Sequence, residues 1–212
     1  MRDKPVSKRS INIKCRIMWL LIILVSMLLY IPINRWVHGG VTLALSLDHS
    51  IPLSPPFIVP YLLGSLLFVA LPVWAAWRVK PGEFESYVLC ILSAVIISCI
   101  IYILYPTYID RPDVTAQDFF SRSIALLYQA DKLYNAAPSG HTFYSVLSAI
   151  FLSRWKPRLA WLWIVMALLT IASTLLTRQH NILDVVSGLG LALLVYFAVR
   201  YIRQKWTYNF AS

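Results

Sequence analysis

The sequence contains few charged residues, glycines and cysteines, and each shortage excludes a class of protein. Only 13% of the 212 residues are charged and 59% are hydrophobic, whereas a soluble domain has about 25% charged residues. Seven glycines exclude a collagen-like chain, and three cysteines exclude a small disulfide-stapled domain. A chain this apolar is not disordered either. These shortages favour a protein that spans a membrane.

Long apolar runs supply the membrane-spanning segments. A helix needs about 20 mostly apolar residues to cross a bilayer. Five stretches meet or approach that length: 17–33, 57–77, 86–105, 159–177 and 182–199. A sixth stretch, 142–153, is short, but its helix can begin at Pro138 because proline is favoured in a first helical turn. The sequence therefore predicts an all-α, polytopic bundle of six transmembrane helices joined by short polar loops.

The basic residues lie mainly on one side of this predicted bundle. With the N-terminus inside, 14 of the 19 Lys and Arg residues fall in cytoplasmic segments, which places both termini in the cytoplasm. The net charge of +10 is then a result of topology, and no nucleic-acid partner is expected. We predict a basic cytoplasmic tail over 1–16, one membrane domain over 17–206 and a cytoplasmic tail over 207–212. Within the membrane domain, the polar segments that carry the candidate motifs fall within 105–188.

Three polar segments lie at the outer ends of the predicted helices. Arg111 follows the third helix, and after a loop the fourth helix opens with Pro-Ser-Gly-His at 138–141. His180 and Asp184 lie where the fifth helix ends and the sixth begins. Polar groups at membrane depth are costly and usually face a cavity or the bundle interior. The topology therefore predicts one extracytoplasmic site.

The residue types in these segments suit phosphate chemistry. The Arg111 guanidinium matches phosphate oxygens, and the N-terminus of a helix opening at Ser139 and Gly140 favours an anion. His180 and Asp184 are four residues apart, so on a helix the carboxylate can orient the ring and leave its other nitrogen as a nucleophile. His141 can act as the general acid.

Each of these residues also has a simpler interpretation. Arg111 could contact lipid headgroups, Ser139 could only cap a helix, and a His-x-x-x-Asp pair arises often by chance. The four-residue string at 138–141 is the most specific signal, since it is expected by chance on the order of once in a thousand chains of this size.

The motifs resemble the type 2 phosphatidic acid phosphatase family, which is related to the vanadium haloperoxidases. That family's signature is Lys-x6-Arg-Pro, then Pro-Ser-Gly-His, then Ser-Arg-x5-His-x3-Asp. The resemblance implies that His180 attacks phosphorus, Asp184 orients it and His141 protonates the leaving group. It further implies that Arg111, with Ser139 and Gly140, holds the phosphate without a metal or other cofactor.

Two positions depart from that signature. Leu104 stands where the family has Lys, and Thr174 stands where it has Arg. Because Thr174 and Arg178 are four apart at a helix end, we predict that Arg178 supplies a phosphate-binding guanidinium; a headgroup contact is the alternative. Lys132 is a candidate for the other cation. The flanking residues are similar to a divergent branch that includes inositol phosphorylceramide synthase-like proteins.

The resemblance implies an integral-membrane phosphatase acting on a lipid phosphate, either a phosphoric monoester or a lipid diphosphate. Two alternatives remain open from the sequence. The phosphoenzyme could pass its group to a lipid or polyol acceptor, which would make the protein a phosphotransferase. Alternatively, the fold could serve a non-catalytic lipid-binding or transport protein.

Overall fold

The computed structural model describes residues 13–115 and 117–209, and for 206–209 it describes the backbone only. The predicted tails, 1–16 and 207–212, therefore lie partly outside the described residues. Eight α-helices are present within the described ranges, and helix continues into the described part of both predicted tails. In chain order they are α1 (Ile13–Leu28), α2 (Tyr30–Trp36), α3 (Ile58–Arg78), α4 (Pro81–Leu104), α5 (Phe119–Ala130), α6 (Gly140–Trp155), α7 (Ala160–Leu176) and α8 (Ile182–Asn209).

Five helical segments are long and apolar enough to cross a membrane. They are Ile13–Trp36, Pro55–Arg78, Pro81–Leu104, Pro157–Leu176 and Ile182–Lys205. These segments confirm five of the helices predicted from the apolar runs. The remaining one, α6, has 16 residues and begins at Gly140 rather than at Pro138, because Ser139 has extended backbone angles and caps the helix. The count of six spans and the cytoplasmic placement of the termini stay predictions.

The shortest of the predicted spans lies among the others. Helix α6 packs against α7, α8, α4 and α3, and its buried side chains include Phe143, Leu147 and Phe151. A buried hydrogen bond of 2.7 Å joins its Ser148 hydroxyl to the Tyr87 hydroxyl of α4. Surrounded in this way, α6 is held by protein contacts along its length.

The segment predicted as a loop before residue 135 contains a helix. Helix α5 has 12 residues, which is too short to span a bilayer. Its Ile124 side chain is completely buried against the rest of the protein. Asp118 begins the helix by accepting hydrogen bonds from the backbone N–H groups of Phe120 and Ser121, at 2.8 and 3.2 Å. The prediction of an irregular loop here is wrong, because it considered only helices of membrane-spanning length.

The functional segments share one end of the bundle, here called the site end. It comprises residues 30–57, α5 with its flanking segments 105–115, 117–118 and 131–139, and the turn 177–181. A small parallel pair at this end joins β1 (Val41–Thr42) to β2 (Thr107–Tyr108). Gly40 is required for this pairing, because a Cβ there would lie 2.0 Å from the Pro106 carbonyl oxygen. The pair fixes the chain that leads from α4 to Arg111.

Candidate active site

The Pro-Ser-Gly-His segment is held by groups from α4 and β2. The Tyr102 hydroxyl donates to the Pro138 carbonyl at 2.7 Å, and the Ala137 N–H donates to the Thr107 hydroxyl at 2.8 Å. Ser139 is completely buried, and its hydroxyl accepts from the Thr142 N–H at 3.3 Å. Its role as a helix cap is therefore present in the structure, and its side chain lies behind the site.

A backbone hydrogen bond connects the two histidine motifs. The Ser139 N–H donates to the Asp184 carbonyl at 2.9 Å. The Asp184 side chain, also completely buried, accepts from the Asn181 N–H at 2.7 Å. The Ser139 N–H is already hydrogen-bonded to Asp184 and cannot donate to an anion. The N–H groups of Gly140 and His141, at the N-terminus of α6, are the ones that an anion could accept from.

The two histidines meet at one cavity. The ring centroids of His141 and His180 are 5.7 Å apart, and both side chains line the cavity. The His180 Nδ1 atom lies 3.8 Å from Asp184 Oδ2, which is longer than a hydrogen bond. His180 precedes α8 rather than lying in it, so the helical spacing used to pair it with Asp184 applies only approximately. The two side chains are neighbours without a hydrogen bond.

Ser65 is a site residue that the sequence analysis missed. Its hydroxyl, in the second turn of α3, lies 3.0 Å from His141 Nε2. The Tyr61 ring packs on the same imidazole with centroids 4.4 Å apart. No motif marks Ser65 or Tyr61 in the sequence; only the packing of α3 against α6 brings them to the histidine.

Arg111 occupies the predicted place beside the histidines. Its guanidinium donates to the Asp131 carbonyl at 2.7 Å and to the side-chain oxygen of Gln179 at 2.7 Å. The group also lies over the Tyr128 ring, 4.7 Å from its centroid. These contacts fix the guanidinium at the cavity wall next to His180.

Arg178 lies outside the cavity lining. Helix α7 ends at Leu176, and Arg178 has a positive φ of 54°, so the assumption that it shares a helical face with Thr174 is wrong. Its guanidinium donates to the backbone carbonyls of Asp48 and Ile51. Its phosphate-binding role stays a prediction, and no contact in this geometry supports it.

Asp48 supports the turn that carries His180. Its side chain is 1% exposed, and its two carboxylate oxygens accept from the N–H groups of Ile182 and Leu45, at 2.8 and 2.7 Å. The first of these bonds caps the N-terminus of α8. Together with the contact from Arg178, it joins the loop before α3 to the α7–α8 turn.

The cavity combines a polar end with an apolar interior. Its volume is about 380 Å³, and Arg111, His141 and His180 lie at the polar end. Phe68 and Val95 line the interior. Val95 lies nine residues before the last residue of α4, so the cavity extends about 14 Å along this helix. This shape fits an amphiphile with a polar head at the histidines and a chain along the helices.

A carboxyl group also lines the polar end. Asp131 accepts a hydrogen bond from the Tyr30 hydroxyl at 2.8 Å. Burial raises the pKa of this carboxyl, while the Tyr30 hydrogen bond and the charge of Arg111 act in the opposite direction. Within residues 13–115 and 117–209, no group of three or more His, Cys, Asp or Glu side chains could hold a metal ion.

One comparison with known proteins shows the family of the chain. A family model described as the PAP2 superfamily matches residues 28–198, well over half of the chain and all three motif segments. No curated protein matches the chain. The match includes three of the five apolar segments in full and part of the first and last, which together with the family indicates an integral membrane protein of the lipid phosphatase type. The chain belongs to the PAP2 superfamily, the type 2 phosphatidic acid phosphatase family.

Proposed function

We propose that the protein is a lipid phosphate phosphatase whose active site faces the extracytoplasmic side and whose reaction passes through a phosphohistidine. The observation that carries the proposal is the cavity itself. It places two histidines from different motifs, with ring centroids 5.7 Å apart, beside Arg111 and above an apolar interior. The excess of basic residues at the opposite end of the bundle supports the orientation.

The proposed reaction has two steps. A ring nitrogen of His180 attacks phosphorus, the bond from phosphorus to the lipid oxygen breaks, and protonated His141 gives that oxygen its proton. Water then attacks the phosphohistidine, with His141 accepting its proton, which releases inorganic phosphate and restores His180. Arg111 stabilises the charge that develops on the phosphoryl oxygens. No metal or other cofactor takes part in this scheme.

The polar and apolar lining of the cavity supports the substrate class. A phosphate head at the polar end leaves its acyl or prenyl chain beside α1, α3 and α4, whose side chains line the interior. Phosphatidic acid, phosphatidylglycerophosphate and polyprenyl diphosphates all meet this requirement.

A panel of these three lipids tests the proposal. The purified full-length protein is supplied with each lipid, and release of inorganic phosphate is measured, with His180→Ala as the blank. Phosphate release from at least one lipid, absent in the blank, is the expected result. Release from none of them would contradict the phosphatase assignment.

Transfer to an alcohol is the second candidate function. Asp131 favours it, because a carboxyl group at the polar end of the cavity can accept a hydrogen bond from an acceptor hydroxyl. With a labelled donor lipid and a polyol or lipid alcohol, transfer moves the label into a new lipid, whereas hydrolysis releases it as free phosphate. A lipid-binding or transport function that is intact in His180→Ala would instead favour the non-catalytic alternative.

Replacing Asp48 with alanine is expected to impair the His180 turn. The change leaves the N–H groups of Leu45 and Ile182 without their acceptor, and loss of a helix cap costs about 1 kcal/mol. Because a displacement of about 1 Å can cost about a hundredfold in rate, kcat should fall by about ten- to a hundredfold with little change in KM. Steady-state phosphate release and thermal unfolding measure both effects. Asp113→Ala, at an exposed position of the same end, is the control, and equal behaviour of the two variants would contradict the role of Asp48.

A further inference from the structure

The two positions at which the family signature has cations contribute none to this site. Leu104 is 77% exposed at the end of α4, on the outside of the bundle. Thr174 is completely buried, and its carbonyl accepts from the backbone N–H groups of Gln179 and His180, at 2.9 and 3.2 Å. Lys132, predicted as the substitute for the missing Lys, lines the same cavity at an exposed position. Donors at the buried wall are then needed to complete the phosphate site around Arg111.

Two buried side chains at the cavity wall carry amide N–H groups that make no hydrogen bond. Gln179 is 4% exposed and Asn135 is 3% exposed, and both line the cavity. Within the part of the chain that the structure describes, neither Gln179 Nε2 nor Asn135 Nδ2 has a hydrogen-bond partner. Burying an amide donor without a partner costs free energy, so a donor kept in this state at a cavity wall indicates a ligand acceptor.

The orientation of the Gln179 amide follows from its neighbour. Arg111 can only donate, so the Gln179 atom that lies 2.7 Å from its guanidinium must be the oxygen. The Nε2 group then points away from that contact as a donor. Asn135 has a positive φ of 62°, a conformation that asparagine adopts more readily than most residues and that is often found at functional sites.

We propose that the side-chain amides of Gln179 and Asn135 donate hydrogen bonds to the phosphoryl oxygens beside Arg111 and replace the two cations of the family signature. This inference rests on the proposed function only in that the ligand carries a phosphoryl group. The two neutral donors then act with one guanidinium and with the N–H groups at the start of α6.

Binding of inorganic phosphate to the purified full-length protein tests this proposal without turnover. Gln179→Glu keeps the size of the side chain and an oxygen for Arg111, but it removes the N–H donor and adds a negative charge. We expect this variant to bind phosphate at least about tenfold more weakly. Unchanged phosphate affinity in Gln179→Glu would overturn the proposal.

Two further variants test a charge added away from the cavity and the loss of a donor without any added charge. Gln129→Glu adds the same charge at an exposed position of α5, and its phosphate affinity should be unchanged. Asn135→Gly removes an amide without adding charge, and glycine accepts the positive φ, so it should weaken binding by about tenfold while the protein stays folded. Size-exclusion chromatography and thermal unfolding confirm that each variant is folded.

The outcomes distinguish this proposal from the proposed function. Weaker phosphate binding in Gln179→Glu and Asn135→Gly supports the amide donors even if none of the three lipids is hydrolysed. Unchanged affinity in both variants overturns the amide donors even if hydrolysis is observed. Failure of the unmodified protein to bind phosphate at millimolar concentration also overturns them.

Discussion

Replacing His180 with alanine is expected to lower phosphate release by about a thousandfold or more, the size of effect seen when a covalent nucleophile is removed. The alanine leaves Arg111 and His141 at the cavity but provides no atom to bond to phosphorus. Binding of inorganic phosphate should change much less than turnover, because the donors at the cavity wall remain. Release of labelled phosphate measures the first quantity, and a phosphate titration measures the second.

The covalent intermediate offers a second measurement on the same variant. A labelled lipid phosphate mixed with the unmodified protein and quenched in alkali should leave label on the protein, and His180→Ala should leave none. His49→Ala, at an exposed histidine of the same end of the bundle, is the matched control and should retain full activity. More than about a tenth of the normal turnover in His180→Ala would contradict the nucleophilic role.

Replacing Gly188 with alanine is expected to lower both stability and turnover by displacing the start of α6, which carries His141. A Cβ at this position would lie 2.6 Å from the Ser139 carbonyl oxygen and 3.0 Å from Thr142 Cβ, so α8 and the start of α6 would have to separate. Overpacking of this kind costs about 1–3 kcal/mol. The separation also strains the hydrogen bond from Ser139 to Asp184, so turnover should fall by about ten- to a hundredfold.

Gly190 provides the matched control for this prediction. It lies two residues further along α8, and a Cβ there meets nothing within 4 Å. Gly190→Ala should therefore leave stability and turnover close to those of the unmodified protein. Thermal unfolding in detergent and phosphate release should be measured for both variants. Equal results for the two alanines would show that the close approach of α8 to Ser139 is not required.

The convergence of the motifs could be predicted from the sequence, because helices of membrane-spanning length fix which segments share an end. Arg111, His141 and His180 line one cavity as that reasoning predicted. The prediction for Arg178 assumed that helical spacing continues past Leu176. The chain instead takes a positive φ at Arg178, and spacing along a helix carries no information beyond the point where the helix ends.

Other parts of the site depend on contacts that no local pattern encodes. The bond between Ser65 and His141 depends on how closely α3 approaches α6, and the cap from Asp48 joins residues 134 positions apart. Gln179 carries no motif, and its buried amide becomes informative only once Arg111 is seen beside it. Such residues are found from tertiary burial and hydrogen bonding rather than from spacing.

The cap that Asp48 gives to α8 has a consequence for biosynthesis. The ribosome makes the chain from its N-terminus. Asp48 is therefore synthesised long before Ile182, whose N–H donates a hydrogen bond to the Asp48 carboxylate. Until the segment from His180 into α8 has been made and packed, the chain has Arg111 and His141 but neither the proposed nucleophile nor the partner of that carboxylate. If the proposed activity is correct, we therefore expect it only in chains in which α8 has been inserted and packed.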